Sequence, residues 1–262
     1  RRNVVGFMDW LIKGNSGFTS LPTSLSYMTQ VSQYNDRITD NLFLIAGDSF
    51  LESQTVALNY QTMNPGNVNA WKEYATAIRR LCALELQKST YEDMTVFVDC
   101  NPSFSIYTQM ALVSSDYLVV PMMADFSSLE GVKGILMLLY GKYPSAAAKN
   151  YASNTITFHN QIQKFDLELP KIYELVFNNY TTNSGVATAY NSIRSDLLEY
   201  AWDQYQNDPD IFVDVGDVLE SKKDWEEVYV SNVKDFHTAG KVSASLGIPL
   251  HRLPEQNKYD MP

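Results

Sequence analysis

A carboxylate at the end of an apolar run is the strongest chemical signal in this chain. Met94-Thr-Val-Phe-Val98 is followed by Asp99, and Cys100-Asn101-Pro102-Ser103 reads as a tight polar turn. Phe104–Ser115 has the composition of an apolar helix, and Asp116 leads into a second apolar run ending at Pro121. A strand that ends in Asp places that carboxylate at the carboxyl edge of a parallel sheet, where open α/β sheets bind ligands. One carboxylate there can hold a magnesium ion through its waters. The competing role for the same residue is capping of the helix that follows.

The elements that must position Asp99 follow from the pattern of apolar residues. Short, nearly continuous apolar runs predict strands at Leu42–Ala46, Val96–Asp99, Tyr117–Pro121, Ile172–Phe177 and Ile211–Val215. Such runs suit a parallel sheet buried on both faces. Helical spacing predicts helices at Asn67–Lys88, Phe104–Ser115, Ser127–Tyr140, Gly185–Tyr205 and Thr238–Leu246. Ser127, Ser128 and Glu130 suit a helix start, and Asp125 is either a site residue or part of that cap. Tyr143–Lys164, rich in Ala, Asn, Ser and Gln, reads as a surface excursion or partner-facing insertion. The expected fold class is α/β, a doubly wound, mainly parallel sheet flanked by helices, in one domain over 1–262 with 254–262 as a tail.

Composition narrows the function classes. The 262 residues carry a net charge of −10, which argues against a whole-surface nucleic-acid binder. Two cysteines, Cys82 and Cys100, make neither a disulfide framework nor a metal cluster. The three histidines, His159, His237 and His251, lack metal-ligand spacing. No apolar run reaches the ~18–20 residues of a membrane span, so a cytoplasmic location is expected.

The Asp99 segment resembles a Walker B and switch II region, and the longer string resembles the ParA/MinD partition ATPases. Their pattern is four apolar residues, Asp, any residue, Pro-Pro-Ser, an apolar helix with Ala-Leu, then Asp and a strand ending in Pro. Here Asn101 replaces the first of the two prolines, while Pro102, Ser103, Ala111, Leu112, Asp116 and Pro121 keep the rest. Asn41-Leu-Phe-Leu-Ile-Ala-Gly47 is similar to the family's Asn-Leu-x-Leu-Ile-Pro-Gly segment, and Leu129-Glu130-Gly131 to its Leu-Glu-Gly helix start. Leu175-Val-Phe-Asn178 resembles the strand whose terminal Asn contacts adenine. The resemblance covers roughly residues 40–253.

The family's phosphate loop, Lys-Gly-Gly-x-Gly-Lys-Thr-Thr/Ser, cradles phosphates with backbone N–H groups and lysines. Lys13-Gly14-Asn15-Ser16-Gly17-Phe18-Thr19-Ser20 is superficially similar, with Phe18 at the position of the phosphate-reaching Lys. On that reading Gly14, Gly17 and Thr19 form a degenerate loop. The preferred alternative places Arg2-Asn3-Val4-Val5 just after the family's Asp-x-Asp-x-Gln motif, with the loop upstream of this chain. A sheet without those strands needs another strand in their place: Val4–Trp10, a partner chain, or residues of a longer protein.

The resemblance implies ATP/ADP and Mg²⁺ as cofactors, with Asp99 supporting Mg²⁺ through water and Asn101, Pro102 and Ser103 sensing the γ-phosphate. Asn178 would read adenine, with Val215 and Asp217 on the other side of the base. It further implies a nucleotide-dependent homodimer that partitions a plasmid, a chromosome or another cargo. A ParB-like partner goes with that role, whereas non-specific DNA binding finds no support in the charge. A non-catalytic adaptor of the same family is the alternative. Without the lysines of the loop, no hydrolysis by this chain alone is expected.

Overall fold

The computed structural model describes residues 2–22, 26–100, 103–180, 187–217, 219–234 and 236–253. The chain divides into two compact units, residues 1–114 with 237–262, and residues 115–236.

The first unit is mostly helical. Helix α1 (Val4–Trp10) starts at Asn3, whose side chain accepts from the Gly6 amide. It runs on into a widened turn over Leu11–Asn15 that closes at Gly14, where φ is +96°. Two-residue strands β1 (Thr29–Gln30) and β2 (Phe43–Leu44) pair antiparallel. Helices α2 (Leu51–Thr62), α3 (Ala70–Ala75), α4 (Ala77–Lys88) and α5 (Ile106–Ser114) complete residues 1–114. Phe7, Met8, Leu11, Phe18, Tyr27, Leu58, Tyr74, Leu81 and Met110 form its core.

Several expectations change here. Val4–Trp10 is a helix and so fills no strand position. The strand expected at Leu42–Ala46 shrinks to the β2 pair. The long helix expected over Asn67–Lys88 breaks at Thr76, whose hydroxyl donates to the Lys72 carbonyl at 2.8 Å and competes with the helical ladder. Helix α2 was not foreseen. Most consequentially, residues 94–99 form no strand. Among the described residues no backbone hydrogen bond joins them to another segment, and Val96, Phe97 and Val98 lie exposed.

The second unit holds the parallel sheet. Strand β3 (Tyr117–Met122) leads through α6 (Phe126–Tyr140), α7 (Ala146–Ser153) and α8 (Phe158–Phe165) to β4 (Lys171–Tyr180). Helices α9 (Ala187–Asn207) and α10 (Lys222–Tyr229) then lead to β5 (Val230–Lys234), and α11 (His237–Leu246) returns the chain to the first unit. The strand order is β3-β4-β5, all parallel, with Val120 opposite Leu175 and Leu175 opposite Val230. The fold class is thus α/β, helices flanking a parallel sheet.

Local chemistry explains the boundaries. Asp125 caps α6, accepting from the Ser128 amide at 2.7 Å, while the Ser128 hydroxyl accepts from the Met123 amide. Val132, Leu136 and Leu139 form the buried stripe of α6. Gly141 ends it at φ +66°, and a Cβ there would meet His159 Nε2 at 2.9 Å. His159 Nδ1 bonds the Leu139 carbonyl at 2.7 Å, tying α8 to α6. Phe158 and Ile162 are buried, so the α8 part of Tyr143–Lys164 is packed, whereas α7 buries only Ala152 and leaves Tyr151 at the surface.

Ile211–Val215 makes a single parallel bridge, Phe212 to Ile172, instead of a strand. Asp214 then accepts from the Gly216 amide, and Gly216 turns the chain at φ +82°. From Leu175 onward that side of β4 is taken by β5, which the apolar pattern did not announce. On one face of the sheet Val120, Met122, Leu175 and Phe177 pack with α6 and α9, and Trp202, Tyr205, Phe212, Trp225 and Tyr229 form an aromatic cluster. Burial above all, then Tyr205 and Asp214, pushes the Tyr229 phenol up to about 12.

Candidate functional site

Asp99 and Ser103 lie in the first unit, and both are exposed. Asp99 follows the unpaired apolar segment, and the Ser103 carbonyl accepts from the Thr108 hydroxyl at 2.6 Å in the first turn of α5. Asn101 and Pro102 lie outside the described residues. Asn178, Val215 and Asp217 belong to the second unit. Asn178 is exposed near the carboxyl end of β4, and Val215 and Asp217 flank the Gly216 turn. Asp125 is the α6 cap, the structural role weighed for it.

The segment resembling a phosphate loop has a different set of partners. Arg80 on α4 donates to the carbonyls of Ser16 and Phe18, each at 2.7 Å, and to that of Glu73. Its guanidinium lies 4.3 Å from the centre of the Phe18 ring. The Ser16 hydroxyl donates to Glu73 at 2.7 Å and Asn67 donates to the same oxygen at 3.1 Å. Burial lowers the Arg80 pKa, against the opposing pull of Glu73. A Cβ on Gly17 would sit 3.7 Å from the Glu73 carboxylate. The Arg80 donors that could meet a phosphate are taken up by the carbonyls of Ser16, Phe18 and Glu73, and Phe18, buried in the core, brings no charge of its own. Gly14 and Gly17 therefore sit in a helix end braced by Arg80, a poor fit to a nucleotide's phosphates, and Thr19 is exposed beside them.

What this stretch offers a magnesium ion is one exposed carboxylate, Asp99. Among the described residues no group of three His, Cys, Asp or Glu could hold a metal ion. Magnesium is usually held by one or two carboxylates, with waters and substrate phosphates filling the remaining positions. A single accessible Asp suits that mode, and an Asn such as Asn178, with an acceptor and two donors, suits the edge of a base.

Residues 27–141 match the family model of the AAA domain. The AAA-domain stretch runs from Tyr27 in the first core to Gly141, the end of α6. That stretch contains Asp99, Ser103, α5 and β3. No curated protein and no solved structure matches the chain. No described helix is long and apolar enough to cross a membrane.

One group of residues escaped the sequence reading. Asn191 and Arg194 on α9 and Asn232 and Lys234 on β5 line a cleft of about 350 Å³. They come from two elements, with Arg194 and Lys234 40 residues apart and no motif between them, and β5 itself was not expected. The alternation Val230, Asn232, Lys234 on one face was the available signal.

Proposed function

We propose that this chain is the Mg²⁺- and base-recognising part of a ParA-like nucleotide switch, an ATPase or a fragment of one. The observation that carries the reading is the AAA-domain match over 27–141, which includes Asp99 and Ser103 between the apolar run and α5. Asp99 would orient the waters of Mg²⁺, Ser103 and its neighbours would sense the terminal phosphate, and Asn178 would hydrogen-bond adenine. The bound metal supplies charge neutralisation at the phosphates. The chain's own residues hold and orient the nucleotide. Nucleotide-dependent pairing of two copies, a ParB-like partner and a role in partition or cargo positioning complete the proposal.

A second reading has its own support. Glu73 against Gly17 and the buried Phe18 suit an adaptor that keeps the fold without phosphate chemistry. ATP turnover, with light scattering in parallel to weigh the particle, separates the two. The switch reading expects mass to double with a non-hydrolysable ATP analogue and Mg²⁺, and no turnover by this chain alone. A mass that ignores nucleotide favours the adaptor. Turnover abolished by Asp99→Ala would overturn the prediction of inactivity.

A further inference from the structure

The cleft between α9, α10 and β5 has the make-up of an anion site. Phe177, fully buried on β4, carries the Arg194 guanidinium at 4.7 Å from its ring centre. That cation–π contact holds the guanidinium over the ring. Among the described residues Arg194 makes no salt bridge. Opposite Phe177 in the register stands Asn232, and Lys234 lies two residues further along the same face of β5. Asn191, three residues before Arg194 on α9, shares the same side of its helix. Arg194, Lys234, Asn191 and Asn232 line one lobe with no carboxylate among them.

An adjoining lobe of about 340 Å³ shares Arg194 and Asn232 but adds Lys223, Glu226 and Glu227 from α10. Lys223 is 3.7 Å from Glu227, so its charge is largely matched. The two glutamates place negative charge beside the basic lobe. A long polyanion laid across both lobes would meet that repulsion, whereas a small anion confined to the first would not.

We propose that the Asn191–Arg194–Asn232–Lys234 lobe binds a phosphate group. Arg194 presents two parallel N–H donors, Lys234 a point charge, and the two asparagines amide donors to the remaining oxygens. All four residues belong to the second unit, and a phosphate held by these donors needs no magnesium.

The test is calorimetric titration of the 262-residue chain with inorganic phosphate, without Mg²⁺, repeated with ATP and with a duplex DNA oligonucleotide. Saturable phosphate binding is expected, weakened about tenfold or more by Arg194→Gln and by Lys234→Gln. Asp99→Ala should leave it unchanged, which separates this site from the nucleotide reading. Lys234 is exposed on an edge strand, so its variant decides the matter if loss of the Arg194 stacking disturbs the fold. ATP binding with the same Arg194 dependence assigns the group to a nucleotide, and phosphate binding without it assigns a free anion; both uphold the site. Absence of saturable binding, or binding that both variants leave intact, overturns it. Tighter binding of DNA through Arg194 and Lys234 overturns the restriction to a small ligand.

Discussion

Two apolar runs of similar composition meet different fates in this protein. Tyr117–Met122 becomes β3, pairs with β4 over its length and buries Val120 and Met122. Met94–Val98 finds no partner among the described residues, and Phe97 is 91% exposed. A strand is therefore a property of its neighbours as much as of its residues. Backbone N–H and C=O groups need a ladder; among the described residues the second unit supplies a three-stranded one and the first only the two-residue β1–β2 pair. Asp99, the most informative residue of the sequence, consequently follows an exposed segment outside any strand, while Asn178 sits near the end of a paired strand.

The largest expected effects lie where pairing and packing are complete. Trp225→Ala should destabilise the second unit by about 3–5 kcal/mol, because the ring is wholly buried among Trp202, Phe212 and Tyr229. Urea unfolding followed by near-ultraviolet circular dichroism checks this. A loss under about 1 kcal/mol would break the contrast between the two regions.

Arg80→Met should cost the first unit about 1–3 kcal/mol, since the carbonyls of Ser16, Phe18 and Glu73 lose their shared donor. If the segment over residues 13–20 instead served phosphate, the same variant would leave stability unchanged and alter ATP affinity.

Alkali should act through the buried tyrosines. A phenol raised in the folded state contributes stability that is complete below about pH 10 and is lost as pH climbs toward the folded value. With Tyr229 pushed up to about 12, loss of the aromatic cluster is expected between about pH 10 and 12. Tyrosinate absorbance and fluorescence should change together there. Tyr229→Phe should shift that transition upward, and an unshifted transition would remove Tyr229 as its cause.

The smallest effect is expected at Phe97. Replacement of this exposed ring by Ser should change stability by less than about 0.5 kcal/mol, and hydrogen exchange at 95–98 should be fast while 172–177 is protected. Slow exchange at 95–98 would show that the segment is paired in solution.

The alternation of the second unit was legible because its signals are local. Tyr117–Pro121 and Ile172–Phe177 are apolar runs with neighbours to pair with, and α6 announces itself by Asp125 and its apolar stripe. Where the outcome depended on distant partners, the pattern misled. Ile211–Val215 yielded its place beside β4 to the more polar Val230–Lys234. Leu51–Thr62 has no sharp apolar stripe to announce it and buries only Leu58 and Thr62. The same holds for the site. Asp99 and Asn178 could be singled out from their places after apolar runs, whereas the Arg80–Glu73 brace and the Arg194 cleft join residues that no spacing rule connects.

In the proposed function Asp99 is the group that would hold magnesium for a nucleotide. Titration of a fluorescent ATP analogue with and without Mg²⁺, on this chain and on Asp99→Ala, tests it most directly. The account predicts saturable, Mg²⁺-dependent binding that the substitution weakens by about tenfold or more, the size expected for loss of one charged contact. Binding that is equal in the two proteins, indifferent to Mg²⁺, or absent from both would contradict it.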